Sequence, residues 1–65
     1  MKLKWSHEQN RWLAEGGSYS YMVVQEPASP YPFRVMQMRQ HQIVNCNGFV
    51  NLSGAQARAQ VWEDA

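Results

Sequence analysis

One thiol, Cys46, and two imidazoles, His7 and His41, are the side chains in this 65-residue chain from which nucleophilic catalysis or metal ligation would first be built. A Cys–His pair would need a third group to orient the base, and no such group is evident near either histidine. Cys46 lies in the apolar stretch Ile43-Val44-Asn45-Cys46, where a buried, inert thiol is expected. His7, His41 and Cys46 do not show the close spacings of a structural zinc site, and a single cysteine excludes both an intrachain disulfide and a paired-cysteine zinc motif. Of the acids Glu8, Glu15, Glu26, Glu63 and Asp64, only the last two are adjacent. They sit at the end of an expected helix, where the macrodipole disfavours acids, so they read as a solvated terminus. Gly16-Gly17 lacks the Gly-Lys-Ser/Thr ending of a phosphate loop. A chain this short also leaves little room for a concave active site. The expectation is therefore a protein without catalytic residues, metal or cofactor.

The elements that would position these residues are legible in part. Leu52, Ala55, Ala59 and Trp62 fall on one helical stripe, and the alanines favour helix. Asn51 is the preferred N-cap, with Ser53 and Gln56 as an alternative capping box. Ser18-Tyr19-Ser20-Tyr21-Met22-Val23-Val24-Gln25 reads as a strand. Phe33–Arg39 reads as a second, whose apolar positions change parity between Val35 and Met36, implying two buried faces or a bulge. Gln42–Cys46 is a third, with Asn47-Gly48 as a tight turn into the helix. Between the first two strands, Pro27, Pro30 and Pro32 make a stiff exposed connection. The N-terminus reads either as a helix capped at Ser6 or as a hairpin of Leu3-Lys4-Trp5 and Arg11-Trp12-Leu13-Ala14 turning through Glu8-Gln9-Asn10. The hairpin is preferred, because a helix over residues 7–15 would have only Trp12, Leu13 and Ala14 to bury. The expected fold is α+β: one domain over residues 1–65, an antiparallel sheet of three to five strands, and one C-terminal helix packed on one face.

The order Leu3-x-Trp5, Arg11-Trp12-x-Ala14, Tyr19-x-Tyr21-x-Val23, Phe33-x-Val35 and Gly48-Phe49-x-x-Leu52-x-x-Ala55-Gln56 resembles small phage and prophage proteins built as a β-meander closed by a helix. That resemblance implies a mobile-element origin and supports the hairpin. It implies no catalytic residues. Some compact phage modules, anti-CRISPR proteins among them, act by occluding a surface of a host defence complex, and the resemblance admits that role here.

Six Lys and Arg against five Asp and Glu leave a net charge of +1, which excludes a strongly basic nucleic-acid module and an acidic DNA mimic. Hydrophobic residues make up 45%, enough for a folded core. No apolar run is long enough to span a membrane, and the basic start Met1-Lys2-Leu3-Lys4-Trp5 is not followed by an apolar signal core. The expected location is the host cytoplasm. One helix covers one side of a sheet. Met22, Val24, Val44 and Cys46 are expected beneath it, leaving Tyr19, Tyr21, Val23, Phe33 and Val35 on the open side. That open aromatic face would bind a partner through Tyr19, Tyr21, Tyr31, Phe33, Arg34 and Arg39, since such residues are enriched at interfaces. The expected partner is a host protein complex. Single-stranded nucleic acid stacked on the rings is the alternative, and a homodimer through the same face is a third. On this reading Cys46→Ser, and separately His7→Ala with His41→Ala, leave function intact apart from stability; a tightly held metal in elemental analysis of the purified protein would overturn it.

Overall fold

A computed structural model describes residues 1–65, and its elements are β1 (Ser6–Glu8), β2 (Arg11–Glu15), β3 (Ser20–Gln25), β4 (Phe33–Arg39), β5 (Gln42–Phe49) and α1 (Leu52–Asp64). The strands form one antiparallel meander in the order β1-β2-β3-β4-β5, and α1 lies across β3, β4 and β5. The α+β fold read from the sequence is thus the fold observed.

The hairpin at the N-terminus forms, but its first strand is displaced. Ser6–Glu8 pairs with Arg11–Leu13, and Leu3-Lys4-Trp5 precedes it as an arm. Leu3 is buried in the core with Ala14, Tyr21, Val23, Val35, Ala55 and Ala59. The Gln60 side chain holds this arm to the helix: its Oε1 accepts from Leu3 N at 2.9 Å, and its Nε2 donates to Met1 O at 2.6 Å.

β5 is longer than the sequence suggested. Asn47 and Gly48 continue the ladder opposite Val35 and Arg34 instead of turning. The tight turn lies at the other end of the strand, at Gln40-His41, where φ is 52° and 65°. Two successive positive values are the mirror-image turn that matches strand twist, even though neither residue is Asn or Gly. The register slips between Gln37↔Asn45 and Met38↔Ile43, leaving Val44 unopposed as a bulge. The parity change in β4 has a different cause: Val35 and Gln37 face the helix, Met36 faces away, and all three are buried.

α1 begins where the sequence placed it. Asn51 has extended backbone, and its side chain accepts from Gly54 N at 2.8 Å, so it is the N-cap. Ala55 and Ala59 are fully buried, whereas Trp62 is only half-buried at the margin of the core. Trp62 packs against the core from the end of the stripe it shares with Leu52, Ala55 and Ala59. Small alanines bring the helix backbone close to the sheet, and the indole is left at the end of that contact. Ala59→Leu is expected to overpack this seam and destabilise the protein by about 1–3 kcal/mol, read as a lower urea midpoint at unchanged m-value.

Candidate partner-binding face

Strand alternation assigns the two sides of the sheet. On the helix side, Ala14, Tyr21, Gln37 and Asn45 are in register across four strands, and so are Trp12, Val23, Val35 and Asn47. This reverses the expected orientation. Tyr21, Val23 and Val35 are the fully buried side chains of the core, and α1 covers them. Met22, Val24 and Cys46 lie on the side away from the helix.

The reversal follows from the polar end of Tyr21. Its hydroxyl donates to Glu63 Oε1 at 2.8 Å and accepts from Gln37 Nε2 at 3.2 Å. Gln37 Oε1 in turn accepts from Asn45 Nδ2 at 2.7 Å, and Glu63 Oε2 accepts from Gly17 N at 2.8 Å. A buried phenol needs such partners, and this side of the sheet supplies them. Glu63 is therefore no solvated end: its unfavourable place near the helix C-terminus is offset by two hydrogen bonds to the carboxylate. Gly16 is required there, because a Cβ would collide with Glu63 Oε1 and approach Tyr21 Cε2 to 2.9 Å.

The six residues expected to meet a partner divide accordingly. Tyr21 is buried and Tyr19 and Phe33 are half-buried on the helix side, so they do not form an open aromatic platform. Arg39 is exposed, with its guanidinium 5.8 Å from the Tyr19 ring centre. Tyr31 and Arg34 belong to the open side. Tyr31 is 58% exposed and stands over Gly48, where a Cβ would meet its own Cβ at 2.8 Å. Arg34 pairs with Glu26 at 2.7 Å.

What the sequence reading missed is the composition of that open side. Leu13, Met22, Met36 and Cys46 are directly opposed in one row across β2 to β5. Met38 and Ile43 form the adjacent pair on β4 and β5. Ile43 is 58% exposed, Met22 and Met38 are half-buried, and Met36 is buried among them. Three of the four methionines thus share one uncovered face. The available signal was the common parity of Met22 and Val24, and of Met36 and Met38.

The groups considered for chemistry lie apart. The His7 ring stacks on Trp12 with centroids 4.5 Å apart, and its Nε2 lies 2.7 Å from Gln9 O. His41 is in the β4–β5 turn. Cys46 is an exposed free thiol, not the buried one expected, because β5 is the sheet edge and α1 lies on its other face. No three His, Cys, Asp or Glu side chains are grouped as metal ligands. No helix is long and apolar enough to cross a membrane. A cleft of about 510 Å³ between the N-terminal arm and β2 is bordered by Lys2, Lys4 and Glu15. Comparison with protein-family models, with curated proteins and with solved structures finds no match to this chain.

Burial pushes the Tyr21 hydroxyl up from 10.0 to about 12, with Glu63 adding to the rise and the Gln37 hydrogen bond opposing it. The unfolded chain releases this proton at a lower pH than the folded one. Its stabilising contribution is full below pH about 10 and is lost as pH rises through about 12. Two units correspond to about 3 kcal/mol. Tyr21→Phe is expected to lose about 1–3 kcal/mol at neutral pH, because Glu63 and Gln37 lose a partner. It should also show a shallower fall in stability between those pH values, measured by urea unfolding.

Proposed function

We propose that this chain is a non-enzymatic protein-binding module whose contact surface is the open, methionine-rich side of the sheet. One observation carries the reading: the in-register row Leu13–Met22–Met36–Cys46, with Met38 and Ile43 beside it, is left uncovered by the helix. A solvated antiparallel face is ordinarily polar, and contiguous exposed apolar surface marks interaction sites. Methionine suits such a surface because its flexible thioether adapts to the partner's shape. Arg34 with Glu26 and Arg11 with Glu8 form ion pairs that place both charge signs around this face, in keeping with the polar rim of a protein interface.

A partner bound here would be blocked sterically, which is the mode of action the phage-type resemblance suggests. The helix covers the aromatic face that would have stacked nucleic-acid bases, so the protein partner is favoured.

The test is capture from lysate of the host cell by the wild-type chain and by Met22→Glu, each with nuclease at low and moderate salt. The expected result is a defined protein complex held by the wild type at both salt concentrations and lost by Met22→Glu, with circular dichroism showing both chains folded. Capture that disappears with nuclease, or that persists undiminished in the folded Met22→Glu variant, would overturn the proposal.

A further inference from the structure

The two edges of the sheet are unlike. β1 is three residues long and carries Glu8. β5 has eight residues, all exposed except half-buried Phe49, and contains no charge and no proline. Edges are commonly protected by charge, proline, shortness or bulges; β5 has only the bulge at Val44, which leaves Asn45–Phe49 as a regular run.

Which backbone groups that run presents follows from ladder alternation. In an antiparallel pair, directly opposed residues alternate between exchanging hydrogen bonds and pointing theirs away. Gln25 N donates to Asn10 O across β2–β3, Gly16 N to Tyr19 O beyond the same pair, and Glu26 N to Pro32 O beyond β3–β4. Odd-numbered residues of β3 therefore bond to β2 and even-numbered ones to β4. In β4, the residues left to bond with β5 are Phe33, Val35 and Gln37, opposite Phe49, Asn47 and Asn45. The N–H and C=O groups of Cys46 and Gly48 consequently point outward from the sheet.

We propose that β5 pairs antiparallel with β5 of a second copy of this chain, about a two-fold axis passing beside Asn47. This register sets Cys46 opposite Gly48 of the other copy and uses all four outward groups of the regular run in each protomer. Centring the axis on Cys46 would instead place Gly48 against the bulged Val44. The uncharged strand lets a copy approach without like charges being opposed, and a two-fold contact is the commonest way for identical chains to associate. Both helices lie on one side of the resulting ten-stranded sheet, and both methionine-rich rows lie on the other. This contact uses the backbone of Cys46 and Gly48 at the sheet edge, whereas the proposed partner face uses side chains on the open side of the sheet.

Asn47 would meet its own copy as a non-hydrogen-bonded pair, with Cα atoms about 4.5 Å apart, within disulfide range. The experiment is sedimentation equilibrium of the full chain, 7.6 kDa as a protomer, at concentrations up to about 100 μM, where even weak pairing is populated. The expected result is a dimer whose dissociation constant rises about two- to fivefold in Asn47→Lys, since like charges directly opposed destabilise the pair. An equimolar mixture of Asn47→Lys and Asn47→Asp should restore the dimer. Asn47→Cys in a Cys46→Ser background should form a covalent dimer by thiol–disulfide exchange with added oxidised glutathione, which leaves as the reduced thiol. A wild-type chain monomeric over this range, or a dimer indifferent to Asn47→Lys, would overturn the proposal.

Discussion

The hydroxyl of Tyr21 is the point on which this structure turns. It lies beneath the helix, bonded to Glu63 on one side and Gln37 on the other. A phenol removed from water keeps its place only if its polar end is satisfied, and an acid near a helix C-terminus needs donors of its own. Each meets the other's need. The bond couples the last turn of α1 to the centre of the sheet, while Ala55 and Ala59 set how close the two layers come. Gly16 and Gly17 complete the arrangement, the first by having no Cβ and the second by donating its N–H.

Two properties of the surface follow from that choice of face. With the aromatic side turned under the helix, the methionine side has no covering layer. With a single helix resting over β3 to β5, the outer strand keeps a free backbone edge. One helix covers one side of the five-stranded sheet, so some apolar surface is left out whichever side it takes. The residues left out here are flexible thioethers, a class suited to contact with a second molecule.

Local features of the sequence carried much of the fold. The Asn51 cap, the Leu52–Ala55–Ala59 stripe, the strands around Tyr21 and Val35 and the proline-stiffened connection were legible because each rests on propensity or spacing within a few neighbours. The N-terminal hairpin was legible as a hairpin, but its register was not. Slipping from Leu3–Trp5 to Ser6–Glu8 depends on Gln60 and the core holding the arm 57 residues away in sequence. Asn47-Gly48 misled for a similar reason. A dipeptide that favours a turn was held in the ladder opposite Arg34 and Val35, and the turn moved to Gln40-His41.

The sequence by itself determined the class: an antiparallel sheet and a capped C-terminal helix with a small-residue stripe. The tertiary structure decided which face of the sheet the helix covers. Both faces of β3 and β4 are apolar, so alternation alone cannot rank them. The ranking came from buried polar groups that must find partners far along the chain, Tyr21 with Glu63 and Gln37 with Asn45. Those partnerships exist only once the helix is docked, and they placed the aromatics inside and the methionines outside.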